Sequence, residues 1–246
     1  MKRLIAILAF VPLLALASEE GPALDRAPID PRDLVSLQAG ARTFVNYCLS
    51  CHSAHYMRYN RLEDLGLTDA QVRDNLMFAS DKTGDTMTVA MSEAQGKAWF
   101  GVAPPDLSLV GRSRGADWLY TYLRSFYRDE KSATGWNNMV FPNVAMPNVL
   151  WSLQGVRTLE TAEANKGGGE GEHGGGPEQH WTQLAPGTMG AVEYDRTVRD
   201  LVNFLVYMGE PSAQSSKAIG IVVLFVLSVL FVLAYAMKAA FWKDVR

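Results

Sequence analysis

The sequence has very little cysteine, since Cys48 and Cys51 are the two cysteines among 246 residues. A disulfide framework in an exported protein normally uses well-separated cysteines that close long loops, and this pair closes almost none. A structural zinc site needs four ligands, but the chain has no second C-x-x-C and few histidines. The scarcity of cysteine therefore excludes a disulfide scaffold and a structural zinc centre.

The histidine that directly follows the cysteine pair, His52, completes a C-x-x-C-H pattern. Such a pair is typical of a thioredoxin-like redox dithiol or of a covalent haem attachment site. The surrounding sequence lacks the strand-then-helix pattern of a thioredoxin fold, which favours haem attachment. Two thiols at this spacing can reach the two vinyl groups of one porphyrin, while the adjacent imidazole lies under the iron. The pattern therefore predicts one covalently bound haem c, held by Cys48 and Cys51, with His52 as an iron ligand.

Charged residues are missing from two apolar segments, one near each end of the chain. Residues 1–17 begin with positive charges, continue as a short apolar run and end in a small-x-small sequence, which is typical of a cleaved signal peptide. Residues 218–237 carry no charge, and we expect a transmembrane anchor at 214–237. Positive residues in 238–246 favour the cytoplasmic side. The sequence thus predicts an inner-membrane protein with residues 18–213 in the periplasm and a cytoplasmic C-terminus.

Two amphipathic helices are predicted between these ends. Asp30 and Pro31 are typical of a helix N-cap and first helical position, and apolar residues then recur at three- and four-residue steps up to Cys48. A second apolar stripe runs through residues 194–208. Residues 160–180 are instead rich in glycine and charge, which predicts a flexible surface insertion. The pattern indicates a mainly helical domain with loop insertions.

The second axial ligand of the iron decides the role of the haem, because a soft, uncharged thioether stabilises reduced iron and raises the potential. Met189 is the preferred candidate, since glycines and a proline in residues 185–191 let the backbone approach a ring just before the second helix. Met146 lies in another proline-bounded loop and stays open as an alternative. His173 and His180 are weaker candidates, because they belong to the glycine-rich insertion.

The chain resembles the cytochrome c1 family, the haem subunit of the ubiquinol:cytochrome c oxidoreductase (bc1) complex. The resemblance rests on a C-terminal span and four ordered segments, which are residues 48–59, 103–108 with the arginines that follow, 146–151 and 187–190. It implies a mainly α fold: a class I-like cytochrome c domain with loop insertions plus one C-terminal transmembrane helix.

The resemblance also assigns residues around the haem. It implies that the sulfur ligand comes from the loop before the last domain helix, which maps to Met189. It implies that a proline-rich segment, Pro104 and Pro105, lies beside the haem. An arginine of the family maps to Arg114, with Arg112 as the alternative, and its guanidinium could pair with a propionate.

The partners implied by the resemblance are the cytochrome b and Rieske iron–sulfur subunits, with a soluble cytochrome c as electron acceptor. Residues 18–216 contain 17 Lys plus Arg and 25 Asp plus Glu, so the exposed domain is acidic. An acidic surface repels nucleic acid and attracts basic proteins, which suits a basic cytochrome c. A stand-alone, membrane-tethered cytochrome has the same haem features and stays open as an alternative. A haem peroxidase is a further alternative, but it needs an open position at the iron, which a second axial ligand would fill.

Overall fold

The computed structural model describes residues 22–161 and 179–243. The predicted signal peptide, His173 and most of the glycine-rich insertion lie outside the described residues. The described chain contains a short 3-10 helix, Tyr59–Leu65, and the α-helices α1 (Leu34–Tyr47), α2 (Asp69–Leu76), α3 (Glu93–Phe100), α4 (Val110–Ser113), α5 (Ala116–Arg124), α6 (Trp151–Gln154), α7 (Ala191–Gly209) and α8 (Ala213–Phe241). The predicted mainly α fold is confirmed.

Short antiparallel strand pairs lie between the helices. They are β1 (Ala54–Arg58) with β2 (Thr86–Met87), β3 (Phe126–Arg128) with β4 (Trp136–Asn138), and β5 (Gly155–Thr161) with β6 (Gln179–Pro186). In the third pair Leu159 stands opposite Trp181. Both ends of the predicted insertion at 160–180 are therefore part of a hairpin, which the sequence analysis did not predict.

Helix α1 begins later than predicted. Asp33, not Asp30, is its N-cap, and the Asp33 carboxylate accepts from the Ser36 N–H at 3.1 Å. The Asp30 carbonyl closes the preceding turn by accepting from the Asp33 N–H at 3.0 Å. The prediction of Asp30 as N-cap is wrong, because a second aspartate closer to the apolar stripe takes the capping role.

Helices α1 and α7 cross at close range in the core. A Cβ on Gly40 would collide with the Asp200 backbone and lie 2.7 Å from the Cβ of Phe204, so the crossing requires glycine. Phe44 and Phe204 meet across it with ring centroids 5.6 Å apart. Ser36 Oγ donates to the buried Asp200 carboxylate at 2.7 Å, which satisfies polar groups there. The crossing fixes the end of α1, where the cysteine pair begins.

The last helix, α8, is long and apolar enough to cross a membrane. Its stretch Ser215–Phe241 contains an 18-residue window with a mean hydropathy of 2.9, and that window is not buried against the described chain. Apolar side chains exposed on every side of a helix are expected in a lipid bilayer rather than in water. The predicted anchor at 214–237 is therefore part of a longer helix.

Candidate haem site

The C-x-x-C-H motif lies in the turn that ends α1. Cys48 is the C-cap of the helix and donates its N–H to the Phe44 carbonyl at 2.8 Å. The Cys48 carbonyl accepts from the N–H groups of Cys51 at 3.0 Å and His52 at 2.9 Å. This turn brings both thiols and the imidazole to the wall of a cavity of about 340 Å³. Cofactor sites typically have volumes of about 300–1,000 Å³.

The wall of this first cavity is largely apolar. Its apolar residues come from the segment before α4, from α5, from the loop after β4 and from α7, and they include Val102, Pro104, Leu107, Val110, Leu119, Leu123, Val144, Val149, Leu201 and Leu205. Apolar walls exclude water and lower the local dielectric, which are conditions that tune the potential of a bound haem.

The side chain of His52 is buried and has a defined orientation. Its Nδ1 lies 2.7 Å from the Pro105 carbonyl oxygen, and since a carbonyl can only accept, Nδ1 carries the proton. Burial lowers the pKa of His52, against the opposing effects of the Pro105 carbonyl and Asp106. The imidazole is therefore neutral, with Nε2 free to bind a metal. Pro105 lines the same cavity, as the resemblance implied.

A hydrogen-bonded carboxylate directly follows Pro105. One oxygen of Asp106 accepts from the His55 N–H at 2.9 Å and lies 2.7 Å from His55 Nδ1, and the other accepts from the Ser108 N–H at 2.8 Å. Partial burial raises the pKa of Asp106, but the hydrogen bonds from Ser108 and His55 outweigh it and hold that pKa below its usual value. This arrangement, which the sequence analysis missed, fixes the backbone next to the carbonyl that orients His52.

Arg114 also lines the first cavity, with an exposed side chain. Its guanidinium carbon lies 4.9 Å from the ring centroid of Trp118 and 5.9 Å from that of Phe141. Stacking on aromatic rings leaves the planar guanidinium edge available for a carboxylate such as a haem propionate. The alternative, Arg112, is not among the residues that line the cavity, and its side chain lies beside Gly209.

The two candidate methionines lie at different cavities, and the structure brings Met146, not Met189, to the cysteine pair. Met146 lines the first cavity, where the Tyr122 hydroxyl donates to its sulfur at 3.4 Å. Met189 lines a second cavity, and its sulfur accepts from Thr197 Oγ1 at 3.5 Å. The geometry therefore favours Met146 over Met189 as the candidate sulfur ligand. Tyr122 was not predicted, because no local pattern marks a hydroxyl that reaches a distant sulfur.

Backbone hydrogen bonds hold Met189 away from the first cavity. The N–H groups of Thr188 and Met189 donate to the carbonyls of Ser152 and Leu153 at 2.9 and 3.1 Å. Gly187 packs so closely that a Cβ there would collide with the Leu153 carbonyl. The loop is thus fixed against α6, on the side of the second cavity. The weaker candidate His180 lies on β6 and is not among the residues that line either cavity.

The thiol pKa of Cys48 argues against a redox dithiol. Cys48 and Cys51 are both free, and burial, together with the neighbouring Cys51, raises the pKa of Cys48 to about 12. Reactive dithiols and thiolate metal ligands have lowered thiol pKa values instead. Two thiols, a neutral imidazole, a thioether and a guanidinium therefore surround one apolar cavity. This donor set fits a c-type haem.

The cytochrome C1 family model matches residues 26–157 and 185–245 of the chain. The chain belongs to the cytochrome c1 family. Membership implies a haem cofactor and makes the chain a haem electron-transfer subunit of a bc1 complex. The matched ranges contain the cysteine pair, Pro105, Arg114 and Met146. They leave out residues 158–184, which contain most of the β5–β6 hairpin.

Two relatives are similar along the whole chain. Cytochrome c1 of Allochromatium vinosum is 47% identical over 250 residues, covering 100% of both chains. The ammonia monooxygenase gamma subunit of Nitrosomonas europaea is 45% identical over 246 residues, covering 100% of this chain and 99% of its own. The cytochrome b/c1 of Bradyrhizobium diazoefficiens is 26% identical and covers 88% of this chain but 34% of its own.

Proposed function

We propose that the chain binds one haem c through thioether bonds from Cys48 and Cys51, with His52 and Met146 as axial ligands. We further propose that it passes electrons from the Rieske iron–sulfur protein to a soluble cytochrome c. The observation that supports this best is that both thiols, Met146 and the imidazole oriented by Pro105 line one apolar cavity. The bound haem supplies a one-electron couple between ferric and ferrous iron.

The residues of the chain set the conditions for that couple. His52 stays neutral and oriented because its Nδ1–H is bonded to a carbonyl, and Met146 offers a soft, uncharged sulfur that favours the reduced state. Tyr122 positions that sulfur through its hydroxyl hydrogen bond. Arg114 would pair with a propionate at the exposed part of the wall. With both ligands held, little would have to move on oxidation, and small molecules would find no open position at the iron.

The proposed topology follows from the two ends of the chain. We infer that residues 1–17 are a cleaved signal peptide and that residues 18–213 fold in the periplasm. Residues 238–246 then lie in the cytoplasm, because Lys and Arg after the α8 span favour that side. The anchor keeps the haem domain at the outer face of the inner membrane, where it can meet soluble electron carriers.

Cytochrome b and the Rieske protein are the proposed membrane partners. The name of the Bradyrhizobium relative, cytochrome b/c1, supports the first of them. The soluble acceptor is proposed from charge, since the excess of acidic residues in the exposed domain attracts a basic protein and speeds its encounter at low salt. Replacing acidic surface residues should therefore slow acceptor reduction mainly at low ionic strength.

The test is spectroscopy of the mildly solubilised native complex. We expect a pyridine haemochrome of the c type, one haem per chain, a near-infrared sulfur-to-iron band in the oxidised state, and co-purification with b-type haem and an iron–sulfur protein. A c-type haem without the near-infrared band would reject Met146 as ligand. A haem that dissociates from the denatured chain would reject the thioether bonds.

A stand-alone tethered carrier is the second candidate, since it needs the same haem cavity and the same anchor. The third candidate is a subunit of a monooxygenase, which is what the name of the Nitrosomonas relative states for that protein. Co-purification separates the three: the first proposal requires b-type haem and iron–sulfur partners, a carrier travels alone, and a monooxygenase subunit travels with that enzyme.

A further inference from the structure

A second cavity lies on the other side of α5, apart from the proposed haem site. It has a volume of about 530 Å³ and is bordered by α5, the β5–β6 hairpin and the first turn of α7. Arg124, Arg157, Trp181 and Met189 are among its lining residues. Its lining combines charged and apolar groups, whereas the lining of the first cavity is largely apolar. The second cavity would therefore suit a different class of ligand.

The side chain of Arg157 has no ion pair among the described residues of this cavity. Its Nε donates to the Phe126 carbonyl at 3.1 Å, and its guanidinium carbon lies 4.0 Å from the ring centroid of Trp181. Its Nη2 is buried and has no hydrogen-bond partner among the described residues. Burial lowers the pKa of Arg157 to about 10, although the more distant charge of Asp195 opposes that shift. A partly buried cation with an unpaired donor is costly, and an anion in the cavity would offset that cost.

The neighbouring Arg124 shows the contrast within the same cavity. Its guanidinium bonds to Asp195 at 2.6 Å and to Asp25 at 2.7 Å, and it lies 4.4 Å from the ring centroid of Tyr120. Both carboxylates at the cavity are thus engaged by Arg124. Arg157 shares the cavity with them, yet neither is bonded to it.

The first turn of α7 adds a second feature that favours negative charge. Its N-cap is Gly190, which has no side chain to accept from the free N–H groups, and Ala191 lines the cavity. The N-terminal end of a helix carries a partial positive charge that stabilises anions nearby. Met139 and Pro186 supply apolar surface to the same wall.

We propose that this second cavity is a binding site for a small organic carboxylate, with the Arg157 guanidinium as its anchor and Trp181 stacked behind it. A carboxylate matches the planar guanidinium edge with two parallel hydrogen bonds. An apolar body on the ligand would lie against Met139 and Pro186. Arg157 is the last residue of the first range matched by the family model, whereas Trp181 lies outside the matched ranges, so the site combines matched and unmatched parts of the chain.

The test is calorimetric titration of the intact, haem-loaded complex with sodium benzoate, and in parallel with acetate and sulfate. We expect benzoate to bind more tightly than acetate because of its apolar ring, and sulfate to bind more weakly than benzoate. Arg157→Gln should weaken benzoate binding by about tenfold or more, the usual effect of losing a charge-assisted pair. Arg157→Lys keeps the charge but loses the planar edge, so it should give an intermediate affinity.

Arg128→Gln is the matched control. Arg128 also stacks on a tryptophan, with its guanidinium carbon 5.1 Å from the ring centroid of Trp136, but its side chain is exposed and it does not line the cavity. Its replacement should leave benzoate binding unchanged. The proposal is overturned if the complex shows no heat of binding up to about 10 mM benzoate, or if Arg157→Lys and Arg157→Gln both bind as the unmodified chain does.

Discussion

Two loops of this chain look alike in sequence and have opposite roles in the structure. Residues 141–147 and 185–191 are each bounded by proline, and each presents one methionine. Met146 lines the cavity of the cysteine pair, whereas Met189 lines the charged cavity on the other side of α5. Composition therefore indicates that a loop can approach a ring, but the packing of the whole domain decides which cavity the loop reaches.

Helix α5 lies between the two cavities and contributes lining residues to both. On α5, Trp118 and Tyr122 line the first cavity, while Thr121 and Arg124 line the second. Successive residues turn by about 100° around a helix, which puts Trp118 and Tyr122 on one side and Thr121 and Arg124 on the other, so one helix can serve two environments. Changes on the two faces should be separable, which makes each of the following variants a test of the division.

The largest effect is expected for Met146→Leu. Loss of the sulfur ligand should lower the haem potential by on the order of a tenth of a volt or more, part of the roughly 0.8 V that axial ligation spans. It should also open the iron to carbon monoxide and remove the near-infrared band. Redox titration and carbon monoxide difference spectra measure these effects.

Met189→Leu is the paired control, and it should leave the potential and the near-infrared band unchanged. The reverse result, with an altered potential in Met189→Leu and none in Met146→Leu, would restore the assignment made from the sequence alone.

Gly40→Ala should destabilise the fold by forcing α1, which ends at the first cavity, away from α7. The added Cβ meets backbone that cannot move independently, so we expect the free energy of unfolding to fall by about 3 kcal/mol. Denaturation followed by haem absorption measures it. Gly84→Ala is the control, since a Cβ at Gly84 meets no atom within 4 Å. Equal stability of the two variants would contradict the close crossing.

Arg124→Ala should destabilise the second cavity without changing the first. Loss of the bonds to Asp195 and Asp25, which are partly solvent-screened, should lower the free energy of unfolding by about 1–2 kcal/mol. The haem potential should stay unchanged, as measured by redox titration of the same sample. Lys97→Ala, which removes an exposed pair with Glu93 on α3, should leave stability unchanged. A shifted potential in Arg124→Ala would show that the two cavities are coupled.

The smallest effect is expected for Asp106→Asn. The negative charge of Asp106 favours positive charge on His52, so its removal should favour the reduced state and raise the potential. The shift should be smaller than about 59 mV, the one-electron equivalent of a tenfold change. Asp69→Asn removes the same charge on α2, where Asp69 pairs with Arg73 and has no effect on the pKa of His52, and it should leave the potential unchanged. A lowered potential in Asp106→Asn would reject the electrostatic account.

The features predicted from the sequence were those with a strong local or repeated signal. The apolar stripe of α7 and the uncharged run of α8 depend on nearby residues, and each forms the expected helix. The C-x-x-C-H pattern is also local, and its residues line the first cavity, but haem attachment there stays a prediction. The family resemblance predicted that Pro105 and Arg114 lie beside the haem, and both line the first cavity. Their roles toward a haem stay predictions.

What the sequence did not reveal depends on contacts between distant parts of the chain. Tyr122 and Met146 are far apart in sequence and meet only after α5 and the loop after β4 have packed. The β5–β6 hairpin was hidden because its strands flank a glycine-rich stretch, which dominates the local composition. Arg157 was not singled out in the sequence, because burial of part of a guanidinium depends on what covers it.

The burial of Cys48 has a consequence for the order in which haem attachment and folding take place. In the folded chain this cysteine is 8% exposed and burial raises its pKa to about 12, so little of its thiol is in the reactive thiolate form. A thioether bond needs a thiol that can approach a vinyl group freely. We therefore expect attachment to precede the final packing around Cys48. A chain that folds without haem should then attach it more slowly than an unfolded one.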